Sequence, residues 1–187
     1  PRSEDDISAA IDIAGDQGLP LLARGGGTSQ CGQTVNEALV LDNTQYFNDI
    51  LELDVEGQRC VVRPGIVLDD LNRALKPHGL WFPVDVSTAS RATIGGMTGN
   101  NSCGGKSLRY GMMRDNILSI EGILADGSKH YFGPTTPKSD PTLAALRDDM
   151  LRLGARESDE IDKRFPKVMR RVGGYNIDAL VPSYHPN

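Results

Sequence analysis

Apolar positions in the first 20 residues recur with a helical period. Ile7, Ala10, Ile11 and Ala14 stand at i, i+3, i+4 and i+7. Ser3 precedes them as an N-cap, and Asp5 and Asp6 place negative charge at the positive end of the helix dipole. Gly18 predicts the stop. The pattern then changes: "LPLLA" reads as a short buried strand running into glycines, and "ALVLD" at 38–42 as another. "DILELDV" and "RCVVRPG" flank Glu56-Gly57 and predict a hairpin. Leu68, Leu71, Ala74 and Leu75 predict a second amphipathic helix, closed by Gly79.

From Trp81 to Arg109 no period is visible, and Gly, Ser, Thr and Asn predominate. An irregular segment of that length inside a compact domain predicts either function or disorder. Order returns in "NILSIEGILADGSKHYF", a strand, an Asp126-Gly127 turn and a return strand. Residues 142–172 read as mostly helical, with Pro166 interrupting or beginning a helix because proline lacks the N–H of a helix interior. Within them "KRFPKVMRR" carries five basic residues and no acidic one, which reads as a solvated helix face or, second, as a docking surface for a neighbouring domain or an anionic substrate.

Composition narrows the function classes. A formal charge of -5 over 187 residues argues against nucleic acid as the main partner, since phosphate backbones are held by an excess of Lys and Arg. No apolar run approaches the roughly 20 residues that span a bilayer. Cys31, Cys60 and Cys103 are odd in number and lack CxxC spacing, so neither a disulfide framework nor a metal site is indicated, and a cytoplasmic location is expected. The chain opens at Pro1 and closes on "VPSYHPN", and both ends read as cuts in a longer protein.

The chemistry concentrates in two glycine-rich tracts. "LLARGGGTSQCG" at 21–32 follows a strand with three glycines, which permit positive φ and close approach to the main chain. The dinucleotide fingerprint GxGxxG fails at Gln30, where its third glycine belongs. The Walker pattern, suggested by "GGKS" at 104–107, fails at Asn100. Two readings remain: a structural turn, or a nest of backbone N–H groups for a diphosphate with Thr28 and Ser29 hydroxyls and Arg24 nearby. "TIGGMTGNNSCGG" at 93–105 again offers uncrowded backbone donors, so the two tracts are expected to form two walls of one extended ligand site.

In family order, "PRSEDDI", "ARGGGTSQCG", "VVRPGIVLDDLNRAL", "PVDVSTASRATIGGMTGNNSCGGKSLRYG" and "ILSIEGILADG" cover residues 1 to about 133. Together they resemble the flavoproteins with a PCMH-type FAD-binding domain, the vanillyl-alcohol oxidase and p-cresol methylhydroxylase family. The branch most resembled is that of D-lactate, D-2-hydroxyglutarate and glycolate dehydrogenases. The resemblance implies an α+β fold: a small lobe of parallel strands and helices over about 1–64, then a larger lobe of mostly antiparallel strands with helices over 65–187. The second lobe would carry a basic helical insertion at 138–175. FAD would lie between the lobes, with a 2-hydroxy acid as substrate.

By the same resemblance, Arg24, Gly25, Gly26, Gly27, Thr28 and Ser29 form the pyrophosphate loop. Pro83, Val84 and Asp85, then Thr93, Ile94, Gly95 and Gly96, then Asn100, Asn101 and Ser102 run along the rest of the cofactor. Relatives that attach FAD covalently to the first loop carry His after the glycines, where this chain has Thr28, so non-covalent binding is expected. Cys103 is expected to be a packed side chain rather than a flavin linkage. His78, His130 and His185 lie outside the glycine tracts and are expected to be structural or surface residues rather than catalytic ones. The substrate domain, its catalytic base and metal ligands, and the place for an iron–sulfur cluster would lie outside this chain. Two other readings stand beside this one: an NAD(P)H-dependent reductase resembling UDP-N-acetylenolpyruvoylglucosamine reductase, and a non-enzymatic nucleotide-binding module.

Overall fold

The computed structural model describes residues 1–134, 141–168 and 175–181. They fall into two compact units, Pro1–Leu118 with Ile123–Lys129, and Ser119–Gly122 with the chain from His130 onward.

The first unit opens with α1, Glu4–Asp16, where Ser3 caps the helix and the Asp6 carboxylate returns to the Ser3 N–H in a capping box. Gly18 adopts φ +62° and ends the run. Strands β1 (Leu21–Arg24) and β2 (Leu39–Asp42) pair in parallel, with Arg24 opposite Asp42. Strands β3 (Ile50–Asp54) and β4 (Arg59–Val62) form the expected antiparallel hairpin. The left-handed residue of its turn is Gln58, at φ +52°.

Helix α2, Leu68–Leu75, continues as a 3-10 turn over Lys76–His78 and stops at Gly79 in the left-handed region. It buries Leu68, Leu71 and Leu75, whereas Ala74 is exposed, so the apolar face is narrower than the periodicity predicts. These leucines pack with Ile66, Val84, Ala92, Ile94, Met97 and Met113 in one core, with Leu53, Cys60 and Val62 of the hairpin against its side. At about 25 cal/mol per Å², each buried leucine contributes roughly 1.5–3 kcal/mol.

The 81–109 stretch is more ordered than its composition predicts. It contains α3, Ile94–Gly99, and α4, Ser107–Tyr110, followed by α5, Met113–Asn116. Thr93 caps α3, and burial of Ile94 and Met97, three residues apart, offsets the poor helix propensity of three glycines.

In the second unit, most of β5 (Ile120–Ile123) and β6 (Lys129–Phe132) pair as expected about the Asp126-Gly127 turn. Helix α6, Pro141–Arg156, packs on a 3-10 turn at Ile177–Leu180, and a Cβ on Gly154 would overlap the Leu180 carbonyl. Helix α7, Ser158–Arg164, ends just before Pro166, because Phe165 precedes the proline and takes an extended conformation. At exposed positions, Arg164 pairs with Glu160 and Lys167 with Asp162, inside the basic run. Arg170, Arg171 and His185 lie outside the described residues.

Candidate functional site

The first glycine tract begins where β1 ends. The Arg24 guanidinium donates Nη2 to Asp42 Oδ2 at 2.9 Å across the parallel pair. Asp42 Oδ1 accepts from the Thr44 hydroxyl at 2.6 Å and the Thr44 N–H at 2.9 Å. The Thr44 hydroxyl, its N–H and then Arg24 hold the Asp42 carboxyl below its ordinary value of 3.8. Arg24 Nε is buried without an acceptor. Beyond it, the backbone N–H groups from Gly25 to Ser29 donate to no acceptor among the described residues. Gly27, at φ +63°, turns the chain there. Successive N–H groups in such a turn are a ready site for an anion.

The second tract is tied down on one side and packed against the first on the other. Leu68 N–H donates to the Ala92 carbonyl at 2.9 Å, Ile94 N–H to Ile66 at 2.9 Å and Gly95 N–H to Pro64 at 2.8 Å. The Thr93 hydroxyl accepts from Gly96 N–H at 3.3 Å. A Cβ on Gly25 would overlap Thr93 Oγ1, and one on Gly26 would overlap the Arg91 carbonyl oxygen. The two glycines therefore let the main chain of the first tract rest directly on residues 91–93. This contact brings the two tracts together.

Further along, a Cβ on Gly104 would overlap the Asp85 backbone, and Lys106 N–H donates to Asp85 Oδ1 at 2.9 Å. The segment 83–85 is thus joined to the end of the second tract. Asn101 takes a left-handed φ of +46° and accepts from Arg114 N–H at 3.0 Å through Oδ1, which fixes its amide. Its Nδ2 is buried without an acceptor. Asn100 Nδ2 donates to Ser102 Oγ at 2.9 Å.

The side chains among the expected site residues divide by use. Val84 and Ile94 belong to the core, Thr93 is a buried helix cap, and Ser102 is buried beside Asn100. Their side chains serve the packing of the fold. Thr28, Ser29, Pro83 and Asp85 are half-buried, and Gly26, Gly27, Gly96 and Asn100 are exposed. Sequence reading missed Asp42, the Arg91 carbonyl and Gly104. Only Asp42 left a signal, an acid closing the strand beside the loop.

The donor set suits an acidic, carbonyl-bearing ligand: five main-chain N–H groups, an orphan guanidinium N–H and an orphan amide, while the Asp42 carboxylate is engaged by Arg24 and Thr44. Among the described residues no group of His, Cys, Asp and Glu is placed to hold a metal ion, and no helix is long and apolar enough to cross a membrane.

Residues 1–132 match the family described as FAD binding domain. The chain belongs to that family. Its α+β fold is the PCMH-type fold, and FAD is the cofactor of the family. This FAD-binding chain is 36% identical to D-2-hydroxyglutarate dehydrogenase of Pseudomonas putida, over 96% of its own length and 19% of that protein. It is 31% identical to the Escherichia coli protein of that name, over 95% and 18%. With glycolate oxidase subunit GlcD of Bacillus subtilis it shares 38% identity over 68% of its own length and 27% of the relative. In structure it resembles 6-hydroxy-D-nicotine oxidase from Arthrobacter nicotinovorans, with a TM-score of 0.63 and 25% identity over 76% of this chain and 30% of that one. The chain thus spans about a fifth of the length of the D-2-hydroxyglutarate dehydrogenases it matches.

Proposed function

We propose that the chain is the FAD-binding portion of an oxidoreductase that converts a D-2-hydroxy acid to its 2-oxo acid. The observation that carries this reading is the run of unpartnered N–H groups at 25–29, seated through Gly25 and Gly26 on the cap of α3. In this reading the run, with Arg24 Nε, holds the cofactor diphosphate. Pro83–Asp85, Thr93–Gly96 and Asn100–Ser102 line the remainder, chiefly through main chain and the Asn101 amide. Bound FAD supplies a hydride acceptor at flavin N5. The chain's own part is to orient that group and to offer neutral N–H donors where negative charge develops. The proton of the substrate hydroxyl goes to a base outside residues 1–187.

The relatives' names support the 2-hydroxy acid class, and the first lobe over 1–64 and second over 65–187 belong to the same proposal. Thr28 stands where covalent attachment needs a nucleophilic ring nitrogen, so the flavin is held without a covalent bond, and a cytoplasmic location goes with the free cysteines. The test is made on the full-length protein. Its visible spectrum should show flavin, acid precipitation should release all of it, and D-2-hydroxyglutarate, D-lactate or glycolate should bleach it anaerobically. Bleaching by NADPH alone would favour the reductase reading, and a colourless protein that takes up no FAD would end both.

A further inference from the structure

One surface cluster lies next to the proposed cofactor site, joined to it where Lys106 N–H donates to Asp85 Oδ1. Trp81, the chain's single tryptophan, carries Lys106 Nζ 4.5 Å from its ring centroid and meets Tyr110 edge to face at 5.2 Å. Arg109 lies over the Tyr110 ring at 5.2 Å. The four side chains form a row in which two cations are held by two rings, with Leu108 beside them 63% exposed. Neither Lys106 nor Arg109 has a carboxylate partner among the described residues, whereas most other cations of this unit, including Arg24, Arg59, Arg63, Arg73 and Lys129, have one.

We propose that this row docks a carboxylate-bearing surface of the same polypeptide outside residues 1–187. The proposal rests on the reading of the chain as one portion of a larger enzyme. Charge decides the chemistry: two unpaired, ring-ordered cations flanking an exposed leucine fit acidic side chains around an apolar contact. Size decides the source. A stable interface between separate proteins buries about 1,200–2,000 Å², more than five side chains supply. A tethered surface meets the patch at an effective concentration near millimolar, where so small a contact suffices. The D-2-hydroxyglutarate dehydrogenases that this chain matches are about five times its length, which leaves ample polypeptide to provide it. An anionic membrane is disfavoured by the chain's charge of -5, which opposes the two cations at long range.

Carbodiimide cross-linking of the purified full-length protein tests this, because the reagent joins an amine to a carboxylate only in direct contact. Peptide mapping should find Lys106 joined to an Asp or Glu outside 1–187, the link vanishing in Lys106→Arg, which keeps the charge but not the reactive amine. Links from Lys106 only to carboxylates within 1–187 or to a different polypeptide, or no link at all, would overturn the proposal, as would protection of Lys106 only by phosphatidylglycerol vesicles. Flavin content of the same sample reports separately on the cofactor reading.

Discussion

Gly26 shows how little freedom single positions of the loop have. Its φ is ordinary, yet any side chain would strike the Arg91 carbonyl, so the constraint is close packing rather than backbone strain. Gly27 has the reverse constraint, with open space for a Cβ near its position but a left-handed φ of +63°. Gly26→Val must push residues 25–29 off residues 91–93, at a cost of about 1–3 kcal/mol for overpacking. The expected outcome is loss of FAD from the full-length protein while it remains folded, read as flavin absorbance per folded chain. Unchanged flavin content would return the loop to the role of a structural turn. The sequence announced that these glycines matter, but not why, because their partners lie 65 residues away.

At the scale of elements, α3 is the instructive one. The apolar periods announced α1, β1 to β4 and α2, since each carries its pattern in its own side chains. Helix α3 has three glycines in six residues and only two apolar contacts, so its pattern is too short to read. It forms because the Thr93 hydroxyl caps it and because residues 92–95 are clamped to residues 64–68. Thr93→Val removes the cap without much change of volume and should cost about 1 kcal/mol, whereas Thr93→Ser keeps the oxygen and should cost less. Urea midpoints of the two variants check the order. A larger loss in Thr93→Ser than in Thr93→Val would mean that the buried methyl matters more than the hydroxyl. The end of α7 was legible from Pro166 alone, because a proline restricts the residue before it whatever the tertiary surroundings.

For the whole molecule, the response to acid follows from three carboxylates. Asp6 and Asp54 are held below 3.8 chiefly by backbone N–H donors, and Asp42 by Thr44 and Arg24. A folded value lower than the unfolded one contributes stability above the unfolded value and loses it as pH falls through the folded one. Stability should therefore be level from neutral pH down to about 4 and decline below it. Asp42→Asn should lower the urea midpoint at pH 7 slightly, since the side chain is partly open to water, and the gap to the parent should close as the pH falls below 3.8. A gap that persists undiminished at pH 2.5 would show that packing, not charge, holds Asp42. Family and fold were legible because motif order runs through 132 residues. The joining of the two tracts was legible only as an expectation, since it depends on main-chain packing that no local pattern records.

The five unpartnered N–H groups of the first loop carry a consequence for anyone who sets out to redesign it. A site made of peptide groups has no side chain whose removal erases it, so exchanging Thr28 or Ser29 for alanine would leave its polarity almost intact. Scanning by side-chain truncation would therefore score the loop as tolerant, though it would be tolerant only to changes that leave the peptide groups where they are.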